Sequence, residues 1–158
     1  MVNDQYQALP ENARSLMTTG RIIQFALMAS TLIYGLVVNI MPMEGEPDIS
    51  DADGMQMIFS ILGIGSCFIA SLANRYFLGA KRLGDSRDPR LVTGKIFVGF
   101  VITWAIAESC AVFGLLLTIM LKDASLYTTF GALSFLTILA HPMTEASVRS
   151  LMKRQAYT

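Results

Sequence analysis

The sequence predicts an all-α integral membrane protein of four transmembrane helices, formed by two related helical hairpins. Three observations predict it. The 158 residues are 53% hydrophobic and only 15% charged, with a mean hydropathy of +0.51; a soluble domain carries roughly 25% charged residues. Four apolar segments stand out along the chain, about the length at which a helix crosses a bilayer or slightly short of it. The connections between them alternate in charge sign. The chain divides into a first hairpin, residues 1–84, and a second, 85–158.

The first segment runs from Ile22 to Met43 and the second from Met55 to Ala73. The third, Ile96 to Leu121, is almost wholly apolar; the fourth runs from Leu126 to Ala140. The helical pattern of the second continues through Asn74 to Arg82, and that of the fourth through Glu145 to Arg154, as helix ends leaving a bilayer would. Pro10 and Pro89 stand where helices begin, the position proline tolerates. Pro142 falls inside the fourth segment. It should kink that helix or end its membrane part, leaving a carbonyl near residue 138 without its usual partner.

Between segments one and two lie five acids and no Lys or Arg. Between two and three lie six basic residues: Arg75, Lys81, Arg82, Arg87, Arg90 and Lys95. The tail carries Arg149, Lys153 and Arg154. The positive-inside rule puts the basic connection and both termini in the cytoplasm, and the acidic loop outside. The first residues are polar and acidic, unlike a cleavable signal peptide, so the N-terminus is expected to be retained. Zero net charge gives no basis for nucleic-acid binding. Cys67 and Cys110 both sit in apolar runs and read as small buried thiols; a single histidine leaves no His-based metal site, and no metal is expected. No nucleotide-binding motif is present, so the chain has no catalytic site of its own.

Segments one and three align with a shift of 79 residues: Pro10 meets Pro89, Ser30 meets Ser109, Tyr34 meets Phe113 and Gly35 meets Gly114. Segments two and four align more weakly, with a shift of 72 that brings Lys81–Arg82 onto Lys153–Arg154. This reads as a doubled two-helix hairpin. Where the third segment has Glu108, the first has Ala29. An ionised carboxylate at mid-membrane costs several kcal/mol on an order-of-magnitude basis, and intramembrane carboxylates usually serve ion movement. Glu108 is therefore the expected ion-binding residue. Its apolar surroundings disfavour charge, so it should hold a proton facing lipid and release it beside water or a fixed positive charge.

The stretches Leu9–Val38 and Arg87–Leu117 resemble the carboxylate-bearing helix of rotor-ring proteolipids from rotary ATPases, the subunit c and subunit K family. Ile33–Val38 reproduce the I-Y-G-L-V-V ending often found there, and Glu108, three residues after Ala105, stands in a setting similar to the family's A-x-x-E-A. Arg87-Asp88-Pro89 stands at the family's polar turn, with Asp88 in place of glutamine. The resemblance implies a proton-translocating rotor-ring subunit of a rotary ATPase or ATP synthase, self-associated into a ring and partnered by other ATPase subunits. It places Glu108 at the ion-binding position, Ser109 at a residue that helps hold sodium in some members, and Asn74 at a partner-helix glutamine. The chain departs from the pattern in three ways. The long glycine repeat is reduced to Gly63, Gly65 and Gly131, Phe113 replaces the tyrosine of sodium-binding members, and each repeat begins with the carboxylate-type helix.

Protons are the expected ion, with sodium the alternative if Ser109, Thr103 and Asn74 supply oxygens. Arg75 is expected to reach the cytoplasmic face rather than pair with Glu108. His141 and Glu145, one turn apart around Pro142, allow either a proton relay or a helix-end contact. Trp104, one turn before Glu108, reads as a packing residue. Two other functions fit the same features: a small four-helix proton-coupled antiporter, and a non-transporting structural or assembly subunit.

Overall fold

The computed structural model describes residues 11–42, 52–79 and 88–156, and every regular element among them is an α-helix. In chain order these are α1 (Glu11–Ile40), α2 (Ala52–Phe77), α3 (Pro89–Leu121), α4 (Ala124–Ala140) and α5 (Glu145–Ala156). Among the described residues three helices are long and apolar enough to cross a membrane: Ala13–Ile40, Ala52–Phe77 and Arg90–Leu121. The bent pair α4–α5 makes a fourth if it is one span.

The helix ends follow local chemistry. Asp88 caps α3, its carboxylate accepting from Arg90 N at 2.9 Å, with Pro89 at the first helical position as the sequence leads one to expect. Lys122 closes α3 in the left-handed conformation (φ 55°), and Asp123 then caps α4 by accepting from Ser125 N at 2.9 Å. These two residues make the whole turn, so α3 and α4 must run antiparallel. α2 ends sooner than expected. It stops at Phe77, and Leu78 and Gly79 form a turn in which Gly79 N reaches back to Tyr76 O. The rest of the expected continuation to Arg82, the acidic connection and Pro10 lie outside the described residues.

α3 is the core helix. It packs against α1, α2, α4 and α5, whereas α1 and α2 hardly touch one another. In its most apolar stretch 44% of residues are buried, against 17% in α1 and 22% in α2. The largest cluster surrounds Ile96, Phe100, Trp104 and Ala107 of α3, with Ala13 and Met17 of α1, Ala70 of α2, Leu78 just past its end, and Met143 and Val148. Small residues allow the close approach that apolar helices need. Phe130 of α4 lies against Gly63 of α2 and Gly114 of α3. A Cβ at Gly63 would stand 2.6 Å from the Phe130 ring, and one at Gly114 would collide with the Phe130 Cβ.

Contact register shows helix direction. Gly20 lies by Phe97 and Ser30 by Glu108, so α1 and α3 run parallel. The Ser30–Glu108 offset is 78, one residue from the 79-residue shift that aligns the two segments in sequence. Phe59 meets Phe113 while Leu78 meets Gly99, so α2 is antiparallel to α3.

Pro142 acts where it was expected to. α4 ends at Ala140, α5 starts at Glu145, and the two axes bend by 58°. Thr144 caps α5, its Oγ1 accepting from Ser147 N at 3.1 Å.

Candidate ion site and the α4–α5 break

Glu108 lies half-buried near the middle of α3, and the side chain it meets is Ser30 of α1, hydroxyl to carboxyl. Ser30 Oγ also lies 2.8 Å from Leu27 O on its own helix. A hydroxyl has one hydrogen to give and two lone pairs to accept with. With Glu108 ionised, Ser30 donates to the carboxylate. Leu27 O then keeps Thr31 Oγ1 as its side-chain donor, at 3.1 Å. With Glu108 protonated, the carboxyl donates to Ser30 and Ser30 donates to Leu27 O. Every hydrogen has an acceptor in both states, so one rotation of the Ser30 hydroxyl accommodates gain or loss of a proton.

A second polar contact lies beside this pair. Tyr127 of α4 donates its hydroxyl to Thr31 O, the carbonyl one residue beyond Ser30. It packs in one cluster with Tyr34, Val38 and Ala111. Among the described residues no Lys or Arg forms an ion pair with Glu108, and the ion pair seen there is Glu145–Arg149 on α5, with Nε of Arg149 at 2.9 Å from Glu145 Oε1.

The other expected site residues are spread over several places. Ser109 turns back on its own helix, Oγ to Ala105 O at 3.2 Å, and fully buried Thr103 does the same to Gly99 O at 2.8 Å. Phe113 meets Phe59 edge-on at 6.0 Å between ring centres. Asn74 and exposed Arg75 sit in the last turns of α2 and line an open cleft beside the α4–α5 break, to which Glu108 does not contribute. His141 ends α4, its Nδ1 2.9 Å from Thr137 O, so that nitrogen carries the hydrogen. Among the described residues no group of three His, Cys, Asp or Glu could hold a metal.

The break is closed by side chains from two other helices. Ile138 O, which would accept from residue 142 in a continuous helix, accepts instead from His141 N at 3.3 Å and from Gln24 Nε2 of α1 at 3.1 Å. His141 O accepts from Trp104 Nε1 of α3 at 2.9 Å. Trp104, read as a packing residue, is thus also a hydrogen-bond donor, and it is fully buried. Buried backbone that leaves a helix persists where other groups of the protein satisfy it in this way.

Sequence reasoning did not single out Ser30, Gln24 or Tyr127. The signal for Ser30 lay in the repeat: it follows Ala29, the position aligned with Glu108, and two parallel copies side by side bring those positions to one height. Gln24 is a lone amide in an apolar run, and its role depends on Pro142, 118 residues later. No protein-family model, curated protein or solved structure matches the chain.

Proposed function

We propose that this chain is the proton-carrying rotor-ring subunit of a rotary ATPase or ATP synthase, a four-span membrane protein built from two duplicated hairpins, with Glu108 as the carrier. The observation that carries the reading is the Glu108–Ser30 pair. It is a half-buried carboxyl at mid-helix, partnered by a hydroxyl that serves both protonation states and, among the described residues, by no cation. A carboxylate locked by Arg75 would be a fixed ion, whereas this one is able to exchange its proton.

The parallel register of α1 and α3, one residue from the sequence shift, supports the duplication. Broad apolar faces on α1 (Phe25, Leu32, Leu36) and α2 (Ile61, Phe68) are more than half exposed or nearly so, and suit lipid or neighbouring copies. Protons fit better than sodium, because Ser109, Thr103 and Asn74 are not gathered around the carboxyl to form an oxygen cage. The charge pattern of the connections supports N- and C-termini in the cytoplasm.

A second reading, a small proton-coupled antiporter, is favoured by the cleft beside the α4–α5 break. Mass measurement of the detergent-solubilised protein separates the two, combined with carbodiimide labelling. A ring of many copies with Glu108 modified, and protected by acid but not by sodium, supports the rotor subunit. A monomer or dimer that labels at Glu108 supports the antiporter. A monomer or dimer with unreactive Glu108 overturns both and leaves a structural subunit.

A further inference from the structure

We infer that the cleft beside the α4–α5 break binds a phosphate group, held by Arg75 and Asn74. The cleft has a volume of about 530 Å³ and opens between the end of α2 and the start of α5. Its polar lining is Asn74, Arg75, His141, Ser147 and Ser150, and among the described residues no carboxylate contributes to it. Arg75 is exposed and has no ion-pair partner among the described residues. The Asn74 amide nitrogen is buried without a hydrogen-bond partner, which in an apolar protein leaves a donor unsatisfied. His141 Nδ1 donates to Thr137 O, which makes Nε2 an acceptor in the neutral ring, so His141 lines the cleft without adding a donor for an anion.

A planar guanidinium and a stranded N–H donor, with no acid beside them among the described residues, select an oxyanion. The size of the cleft exceeds what one inorganic phosphate fills. Its remaining wall is apolar, from Leu78, Phe100 and Leu151. Leu72, one turn before Arg75, and Leu136, one turn before Ala140, are about half exposed or more and extend that apolar surface along α2 and α4. A phosphate carried on an amphiphile meets both surfaces, and a soluble phosphate meets the polar one alone. Because Glu108 lies outside the cleft, the inference stands apart from the proton-carrier reading.

The test is binding to the full chain in detergent. Dioleoyl-phosphatidylglycerol and phosphate-free dioleoylglycerol are compared by native mass spectrometry, and inorganic phosphate by phosphorus-31 NMR titration. The expected result is one phosphatidylglycerol per chain. Its retention falls about tenfold in Arg75→Gln and about threefold in Asn74→Leu. It stays unchanged in Arg149→Gln, whose side chain is engaged by Glu145. Phosphatidylglycerol binding without phosphate binding identifies a lipid headgroup as the source; saturable, Arg75-dependent phosphate binding identifies a soluble one, and both support the site. Dioleoylglycerol retained as well as phosphatidylglycerol, wild-type binding in Arg75→Gln, or no binding of either probe overturns it. Circular dichroism of the variants establishes that they are folded.

Discussion

Gln24 on α1 donates its side-chain amide to the carbonyl of Ile138 on α4, the carbonyl that Pro142 deprives of a helical partner. Two residues 114 positions apart are thereby coupled to a third that neither touches by hydrogen bond. The contact joins α1 to the point where the fourth helix breaks, next to the Trp104–His141 bond that joins α3 to the same point.

Gln24→Leu should destabilise the fold by about 1 kcal/mol, because it removes a buried hydrogen bond and leaves Ile138 O with the 3.3 Å contact from His141 N alone. Adding Pro142→Ala should recover part of that loss, since residue 142 regains an N–H for Ile138 O. Unfolding of the purified variants, followed by circular dichroism in a denaturing detergent, measures both. Equal losses in Gln24→Leu and in the double variant would show that Pro142 is not what creates the need for Gln24.

Glu108→Gln keeps the shape and hydrogen-bonding capacity of the protonated carboxyl while removing its exchangeable proton. It should abolish carbodiimide labelling and proton coupling, with helix content and thermal stability close to wild type. Proton flux in reconstituted vesicles is the readout, and a variant that still couples protons would exclude Glu108 as the carrier.

Ser30→Ala removes the group that meets the Glu108 carboxyl. The cost in stability should be about 1 kcal/mol, the net worth of one hydrogen bond. Infrared difference spectra with isotope-labelled glutamate should show the carboxyl C=O band at higher frequency in Ser30→Ala than in wild type, as for a carboxyl relieved of a hydrogen bond, and no such band in Glu108→Gln. Ser30→Thr should restore the wild-type band. An unmoved band in Ser30→Ala would mean that the two side chains do not interact.

Gly114→Ala places a methyl group against the Phe130 Cβ, on the face where α3 meets α4. Overpacking of this kind costs about 1–3 kcal/mol. Gly65→Ala on α2, where a Cβ would meet nothing within 4 Å, should be neutral or slightly stabilising. Thermal midpoints of the two variants check the contrast, and a Gly114→Ala protein as stable as wild type would argue against the close α3–α4 approach.

What the sequence determined by itself is local in origin. Runs of apolar residues long enough to bury every backbone bond within a helix produce α1 to α4, whatever packs beside them. Pro89, Asp88 and Asp123 set helix starts because φ restriction and capping act over three or four residues. Pro142 breaks the fourth segment for the same reason. The expensive carboxylate at Glu108 could also be picked out, since its cost depends on depth in an apolar run and on little else.

The partners of those features were decided by tertiary structure. Whether Glu108 meets Ser30, Arg75 or Asn74 depends on which helices α3 touches and at what rotation, and the apolar periodicity of a helix that is greasy all round carries no such direction. Ser109 and Thr103 show the difference: their hydroxyls are satisfied one turn back on their own helix, an alternative that spacing alone does not exclude. The same holds for the break at Pro142. Proline ensures that a carbonyl loses its partner, but only the packing of α1 and α3 against α4 supplies Gln24 and Trp104 to satisfy the carbonyls exposed there.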